Sequence, residues 1–355
     1  MRVAFYYHQD RPLPPDHEGS NPYGALLTEA LERHGAQVEY TRDYSDEYLR
    51  RNSGRIQVLH FHWPHHDYFH PDYRIMQERM REMAASLELA RELGYKIVWT
   101  AHNIYPHNRL HRSIDHEFRL EICRLADAVI AHCPVNAHGL RERFGRTRRV
   151  FIIPHGHFID VYRTDFTRED ARRELEVPQD AFAYGFIGGI LPYKGIEELV
   201  SAFERLSTED SWLLLAGGGP GDFPERIRRR VAGRPRIVSK IVDGDMQATN
   251  RDLLLFLEAS DVAVLPFRAT MTSGSVILAL SRARPVIAPA LGCLPTVVSP
   301  GAGRLYDPGR REPLLRAMEE VRAWDHDAAS KAALECVRRF DWDRIAEQTL
   351  EAYRA

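Results

Sequence analysis

Short apolar runs rich in β-branched and aromatic residues alternate with helical patterns along this chain, and the alternation stops once and restarts. Strands separated by helices return parallel through crossovers and build an α/β sheet. The first series runs "RVAFYY", "QVEYT", "IQVLHFH", "KIVWTA", "DAVIAH" and "RRVFII", with helical segments such as "NPYGALLTEALERHG" between them. Asn21 can cap that helix, Pro22 suits its first turn and Gly35 can end it, which puts Tyr23, Leu27, Ala30 and Leu31 on one face.

A polar stretch, "FIDVYRTDFTREDARRELEVPQD", separates the two series and predicts a short helix near 167–175. The second series runs "AFAYGFIG", "SWLLLAG", "RIVSKIV", "DVAVLPF" and "RPVIAPA". The 355 residues exceed the roughly 100–200 that one core usually serves. The expected architecture is therefore α/β, with two doubly wound Rossmann-like domains at 1–165 and 166–335 facing across a cleft, and a helix at 336–355 packing back toward the first. A ligand belongs at the carboxyl ends of such strands.

Charge excludes one class of partner. Lys plus Arg total 48 against 50 Asp plus Glu, so nothing in the net charge of -2 draws the whole chain to nucleic acid. Cys123, Cys133, Cys293 and Cys336 are far apart with no CxxC spacing, which argues against a zinc ribbon or a disulfide framework and fits a reducing cytosol. The N-terminus lacks the pattern of a signal peptide, and no apolar stretch approaches the ~20 residues that cross a bilayer. A cytoplasmic protein is expected, touching the inner face of an anionic membrane only peripherally. The basic runs at 141–149 and 225–230 read first as solvated helix faces, and the first of them also suits anionic headgroups.

No GxGxxG follows the first strand and no Walker A motif occurs, which weakens dinucleotide and nucleoside triphosphate readings. Two glycine-rich loops, "FIGGILPYKG" and "LLAGGGPG", lie instead in the second series. In the first, Gly188 and Gly189 allow a tight turn and Lys194 supplies a cation at a helix start, a combination suited to a diphosphate. In "LPFRATMTSGSVILAL", Arg268 stands near Thr270, Thr272, Ser273, Gly274 and Ser275 where a helix opens. Backbone N–H groups, hydroxyls and a guanidinium converge there on one anion site, although N-capping alone explains a single serine. In "HFHWPHHDYFH", His60 and His62 alternate on one strand face and Trp63-Pro64 ends the strand. No carboxylate or cysteine is spaced to complete a metal site, so these imidazoles read as hydrogen-bonding groups, with His66 and His70 structural.

The ordered set "FIGGILPYKG", "LLLAGGGP", "EASDVAVLPF", "TSGSVILALSRARPVIAP" and a closing helix from Trp342 resembles the nucleotide-sugar glycosyltransferases of the GT-B fold, broadly the family 4 type. "NPYGALLTEAL", "VLHFHWPHH", "TAHNIYPHN" and "IPHGHFIDVY" narrow it to the branch containing the xanthan-pathway β-1,4-mannosyltransferase. The resemblance implies a hexosyl transferase using a nucleoside diphosphate sugar, with GDP-mannose favoured over a UDP-sugar. It implies a glycan or polyprenyl-diphosphate-linked acceptor, no metal ion and no other cofactor. It puts the donor diphosphate on Gly188, Gly189, Lys194, Arg268, Thr272, Ser273, Gly274 and Ser275. Sugar or acceptor contacts fall to Asn21, Tyr23, His62, Trp63, Asn103, His107, His155 and His157. His102 matches the family histidine near the anomeric centre, and the candidate bases are His102, His65 and Asp67. This chain departs from the family at Gly189, where an arginine is usual, and at Thr270 and Leu278, where two glutamates are usual, so Arg268 is expected to replace the missing cation. A sugar-nucleotide 2-epimerase and a non-catalytic partner subunit share the architecture and are the rival readings.

Overall fold

The computed structural model describes residues 1–7, 13–18, 21–106, 109–243 and 248–355. Its strands are β1 Arg2–Tyr6, β2 Gln37–Thr41, β3 Val58–Phe61, β4 Lys96–Ala101, β5 Ala128–Ala131, β6 Val150–Ile152, β7 Phe182–Ile187, β8 Ser211–Gly219, β9 Ile237–Asp243, β10 Val262–Val264, β11 Val286–Pro289 and β12 Gly303–Tyr306. The helices are α1 Tyr23–Arg33, α2 Asp46–Asn52, α3 His65–Tyr68, α4 Tyr73–Glu92, α5 Arg112–Leu125, α6 Pro134–Phe144, α7 Arg168–Glu174, α8 Ile196–Glu204, α9 Phe223–Val231, α10 Asn250–Ala259, α11 Gly274–Ser281, α12 Leu294–Val297, α13 Pro313–Val321, α14 His326–Arg338 and α15 Trp342–Arg354. The chain forms two compact units. One comprises Met1–Pro15, Asn21–Gly156 and Phe340–Ala355, and the other comprises Asp16–Ser20 and His157–Arg339. Their edges fall at 156/157 and 339/340, where the sequence reading had 165/166 and 335/336.

The first unit is a parallel sheet of order β2-β1-β3-β4-β5-β6. Every residue of β3 and β5 is buried, as expected of strands covered on both faces. On α1, Tyr23, Leu27, Ala30 and Leu31 are buried at i, i+4, i+7 and i+8. The Asn21 carboxamide oxygen accepts the Tyr23 amide at 3.1 Å, while Pro22 holds the capping position itself. On α4, Met76, Met80, Met83 and Leu87 fall at i, i+4, i+7 and i+11 and enter the core. The last helix, α15, packs on α1, where Arg33 pairs with Asp343 at 2.7 Å, and Lys96 donates to the Ala355 carbonyl at 2.9 Å. In the basic run that closes α6 and continues past it, Arg146 turns inward to the carbonyls of Cys123, Ala126 and Asp127, each at 2.9 Å, and so serves the fold.

The second unit is also parallel, in the order β12-β11-β10-β7-β8-β9. Read from β9, this is the 3-2-1-4-5-6 order of a dinucleotide-binding sheet, with its switch point between β7 and β10. Thr167 and Asp170 close a capping box on the short helix α7, at the position the sequence indicated. The reading by alternation missed β12, a four-residue edge strand with one buried side chain and no periodicity to betray it. Among the described residues, no helix is long and apolar enough to cross a membrane.

Candidate functional site

In the second unit the chemistry gathers after β7 and β10, the two strands flanking the switch point. Beyond β7 the Gly188 amide donates to the Ala216 carbonyl at 3.0 Å and the Ile190 amide to the Gly218 carbonyl at 2.8 Å, which pins the loop along β8. The triplet Gly217–Gly219 is therefore strand, paired with β9, and corrects the expectation of a second glycine-rich loop there. Its glycines are required because the loop lies directly on them. A Cβ at Gly217 would overlap the Gly188 carbonyl oxygen, and one at Gly219 would come within 2.9 Å of that of Ile190. Gly188 itself has φ +118, and a Cβ on it would lie 2.8 Å from Ser275 Oγ, so the β7 loop abuts the start of α11.

Lys194 ends a 3-10 turn, Pro192–Lys194, with its ammonium 4.7 Å from the Phe267 ring centre and 5.3 Å from that of Tyr193. Burial lowers its pKa to about 8, and among the described residues no carboxylate pairs with it. A half-buried cation beside aromatic rings and without a counter-ion is poised for an anion that arrives from outside. At α11, Ser273 accepts the Val276 amide at 3.3 Å and so acts as the N-cap. Gly274 and Ser275 occupy the first turn, whose amides have no intrahelical acceptor, and Gly274 is exposed. The Thr270 hydroxyl donates to the Thr272 carbonyl at 3.4 Å and shapes the loop. Arg268 departs from expectation. Its Nε lies 3.1 Å from Glu198 and its Nη2 3.8 Å from Glu197, so the guanidinium is turned to the first turn of α8. There it lines a 690 Å³ groove with Arg205 and Tyr306. His157 also belongs to this unit, where its Nδ1 accepts the Ile159 amide at 3.3 Å.

In the first unit, parallel pairing sets the ends of β3, β4 and β5 side by side, and each strand is followed at once by a histidine: His62, His102 and His132. His62 Nδ1 is 3.0 Å from His102 Nε2, and His102 Nδ1 is 3.0 Å from His132 Nε2. His132 Nδ1 lies 2.9 Å from the Ile153 carbonyl, and the His132 backbone amide donates to Asn136 at 3.1 Å. His155, just after β6, donates to its neighbour Gly156's carbonyl at 2.8 Å. The Tyr23 ring lies 4.9 Å from the ring of His102 and 4.8 Å from that of His155, and Trp63 stacks on His102 at 4.1 Å.

Burial holds this array neutral. It lowers His132 to about 4, His155 to about 3 and His60 to about 3, and it drives His102 well below the ordinary range with help from neighbouring histidines. His60 is structural, with one ring nitrogen 2.7 Å from the Tyr353 hydroxyl and the other 2.8 Å from Thr100. Both ring nitrogens of His102, the preferred base from sequence, are thus already engaged by histidines.

The other candidates are less concentrated. His65 opens α3, with its ring 4.3 Å from that of His66. Asp67 bonds Arg42 at 3.1 Å, and burial raises its pKa. Two residues along a helix turn a side chain by about 200°, which separates Asp67 from the face of His65. Asn103 follows His102 and is half-buried, and His107 lies outside the described residues. Sequence reading missed His132 and Asn136, although "DAVIAHCPVN" repeats the strand-then-histidine pattern of "VLHFH" and "IVWTAH". Among the described residues, no group of three or more His, Cys, Asp or Glu side chains is arranged to hold a metal ion.

Residues 181–323 match the family model described as glycosyl transferases group 1. The GDP-mannose:glycolipid 4-beta-D-mannosyltransferase of Xanthomonas campestris pv. campestris is 28% identical, over 84% of this chain and 80% of its own length. Sucrose-phosphate synthase from Thermosynechococcus elongatus aligns with 99% of this chain and 98% of its own, at TM-score 0.72 and 20% identity. Anabaena HepE in complex with UDP aligns over 100% of both chains, at TM-score 0.70 and 18% identity.

Proposed function

We propose hexosyl transfer from GDP-mannose to a lipid-linked glycan for this chain, a glycosyltransferase of GT-B fold whose residues 181–323 form a group 1 domain. The observation that carries the reading is Lys194, a half-buried cation without a carboxylate partner among the described residues, beside a glycine loop that meets the start of α11. As the glycosidic bond to the donor breaks, negative charge grows on the departing diphosphate. Lys194 and the first-turn amides of Gly274 and Ser275 are fixed before that charge develops, so they stabilise the transition state more than the bound donor. The acceptor's hydroxyl oxygen forms the new bond to the sugar and gives up its proton to a base.

Mannose and the guanine base are assigned from the Xanthomonas relative, whose similarity spans most of both chains. The positive charge on the diphosphate comes from the protein, so transfer is expected to persist in EDTA. A lipid-linked acceptor also gives the exposed Arg141, Arg143, Arg148 and Arg149 a role in resting on anionic headgroups. Thermal unfolding with GDP, UDP, ADP and TDP, and with their sugars, tests the donor half. Guanine nucleotides at 100 times their Kd should add about 2.7 kcal/mol of stability. A shift with uridine nucleotides alone removes the GDP-mannose assignment.

A further inference from the structure

The groove that takes Arg268 has a neighbour. At the start of α13 it adjoins a second hollow, and Tyr306 and Pro313 line both. Their volumes of 690 and 390 Å³ each fall within the roughly 300–1,000 Å³ of small-molecule sites. Together they form a track along β12 and α13, within the second unit. Tyr306 is only 8% exposed, and among the described residues its hydroxyl has no hydrogen-bond partner. Burial, with the Glu198 carboxylate of the same groove nearby, keeps this phenol protonated. It is therefore a fixed donor that faces the track with nothing to bond.

The charges of the larger hollow cancel in pairs. Arg205 meets Glu312 at 2.5 Å, Arg268 meets Glu198 at 3.1 Å, and Glu197 takes Arg226 at 3.3 Å. Arg230 bonds Ser201 at 2.8 Å and lies 3.4 Å from Glu204. In the smaller hollow Arg304 pairs with Glu320 at 2.6 Å and Arg310 with Asp307 at 3.8 Å, and Arg316 alone of the lining charges has no ion pair among the described residues. An ionic ligand in the larger hollow must displace a paired charge. A hydroxyl group need not, because it donates to the carboxylate and accepts from the guanidinium of one pair at once. Phe267, Pro308, Pro313 and Leu314 add apolar surface suited to the C–H faces of sugar rings.

We propose that this track is a saccharide-binding site that holds a segment of uncharged glycan along β12 and α13, with the Tyr306 hydroxyl and the Arg205–Glu312 and Arg268–Glu198 pairs as its polar contacts. The site gives Arg268 a ligand other than the donor diphosphate. It also borders the donor loop, since Phe267 lies 4.7 Å from the Lys194 ammonium and the Arg268 amide donates to the Tyr193 carbonyl at 2.8 Å. Binding there needs neither nucleotide nor transfer, so the site stands or falls apart from the glycosyl-transfer reading.

Saturation-transfer NMR and titration calorimetry of the full chain with β-1,4-mannotriose and cellotriose, without nucleotide, test the proposal. At least one trisaccharide should bind, and more tightly than its monosaccharide, because only the longer ligand reaches both hollows. Tyr306→Phe keeps the buried ring and removes the hydroxyl, and it should weaken that binding about 3- to 10-fold, the size of one lost hydrogen bond. Ser201→Trp fills the larger hollow and should abolish binding. If the tryptophan variant does not fold, Tyr306→Phe decides. No binding of either trisaccharide by the wild type overturns the proposal, as does a trisaccharide no tighter than its monosaccharide. Wild-type affinity in Tyr306→Phe or in a folded Ser201→Trp also overturns it, because the saccharide is then held elsewhere. Tighter binding of mannose 6-phosphate than of mannotriose, weakened by the same variants, makes the site ionic and overturns the uncharged ligand.

Discussion

Replacing Lys194 with methionine should make the protein more stable and unable to hold its donor. Burial lowers the Lys194 pKa from 10.5 to about 8, which means the fold disfavours the charged form that predominates at neutral pH. At 1.36 kcal/mol per pKa unit the cost reaches about 3 kcal/mol, and because the residue is only half-buried a realized gain of about 1 kcal/mol is expected. The sign follows from proton counting. Between pH 8 and 10.5 the unfolded chain holds the lysine proton and the folded chain has lost it, so wild-type stability rises with pH across that window and the variant lacks the rise. Calorimetry at pH 7 should show the variant's Tm raised by about 2–4 °C, the difference fading near pH 10. GDP should shift the wild-type transition and leave that of the variant in place. In the wild type, GDP affinity should fall about tenfold per pH unit above 8, because the diphosphate selects the ammonium. A variant less stable than wild type at pH 7, or one that binds GDP with wild-type affinity, refutes the reasoning.

Acid should unfold the first unit early, because His60, His132 and His155 stay neutral in the fold down to about 3, 4 and 3, whereas unfolded histidine protonates near 6.5. Stability is then lost as pH falls from 6.5 toward 4, by up to about 4 kcal/mol per pH unit for three histidines. Urea unfolding at pH 7, 6 and 5 with near-ultraviolet circular dichroism measures the slope, and equal midpoints at pH 7 and 5 contradict it. Gly217→Ala should cost at least about 1–3 kcal/mol and abolish the nucleotide-induced shift, since its Cβ meets the backbone oxygen of Gly188, which has no room to yield. Wild-type nucleotide binding by that variant would mean the β7 loop is not the donor site. Arg268→Ala should change donor affinity less than threefold by calorimetry, given that its guanidinium is paired with the α8 glutamates. A larger loss restores the role first expected of it.

The two parallel sheets were legible because alternation of apolar runs and helices is a local signal, and so was the cap at Ser273. What sequence could not supply was adjacency. His132 lies 30 residues beyond His102 and 70 beyond His62, and only the strand order β3-β4-β5 brings the three rings into one hydrogen-bond chain. The pairing of Arg268 with Glu198, 70 residues away in the chain, was out of reach for the same reason. Gly217–Gly219 looked like a turn because glycine favours turns, yet here it admits a neighbouring backbone onto a strand. Four residues of β12 carry too little pattern for any period to emerge.

The claim that this chain moves mannose from GDP-mannose to a lipid-linked glycan is tested most directly by incubating it with GDP-[14C]mannose and a panel of polyprenyl-diphosphate-linked saccharides. Label should pass into the organic-extractable acceptor with one GDP released per mannose transferred, in the presence of EDTA, and Lys194→Met should abolish the transfer. Label that stays on the nucleotide with every acceptor, while another sugar nucleotide is consumed, contradicts the claim.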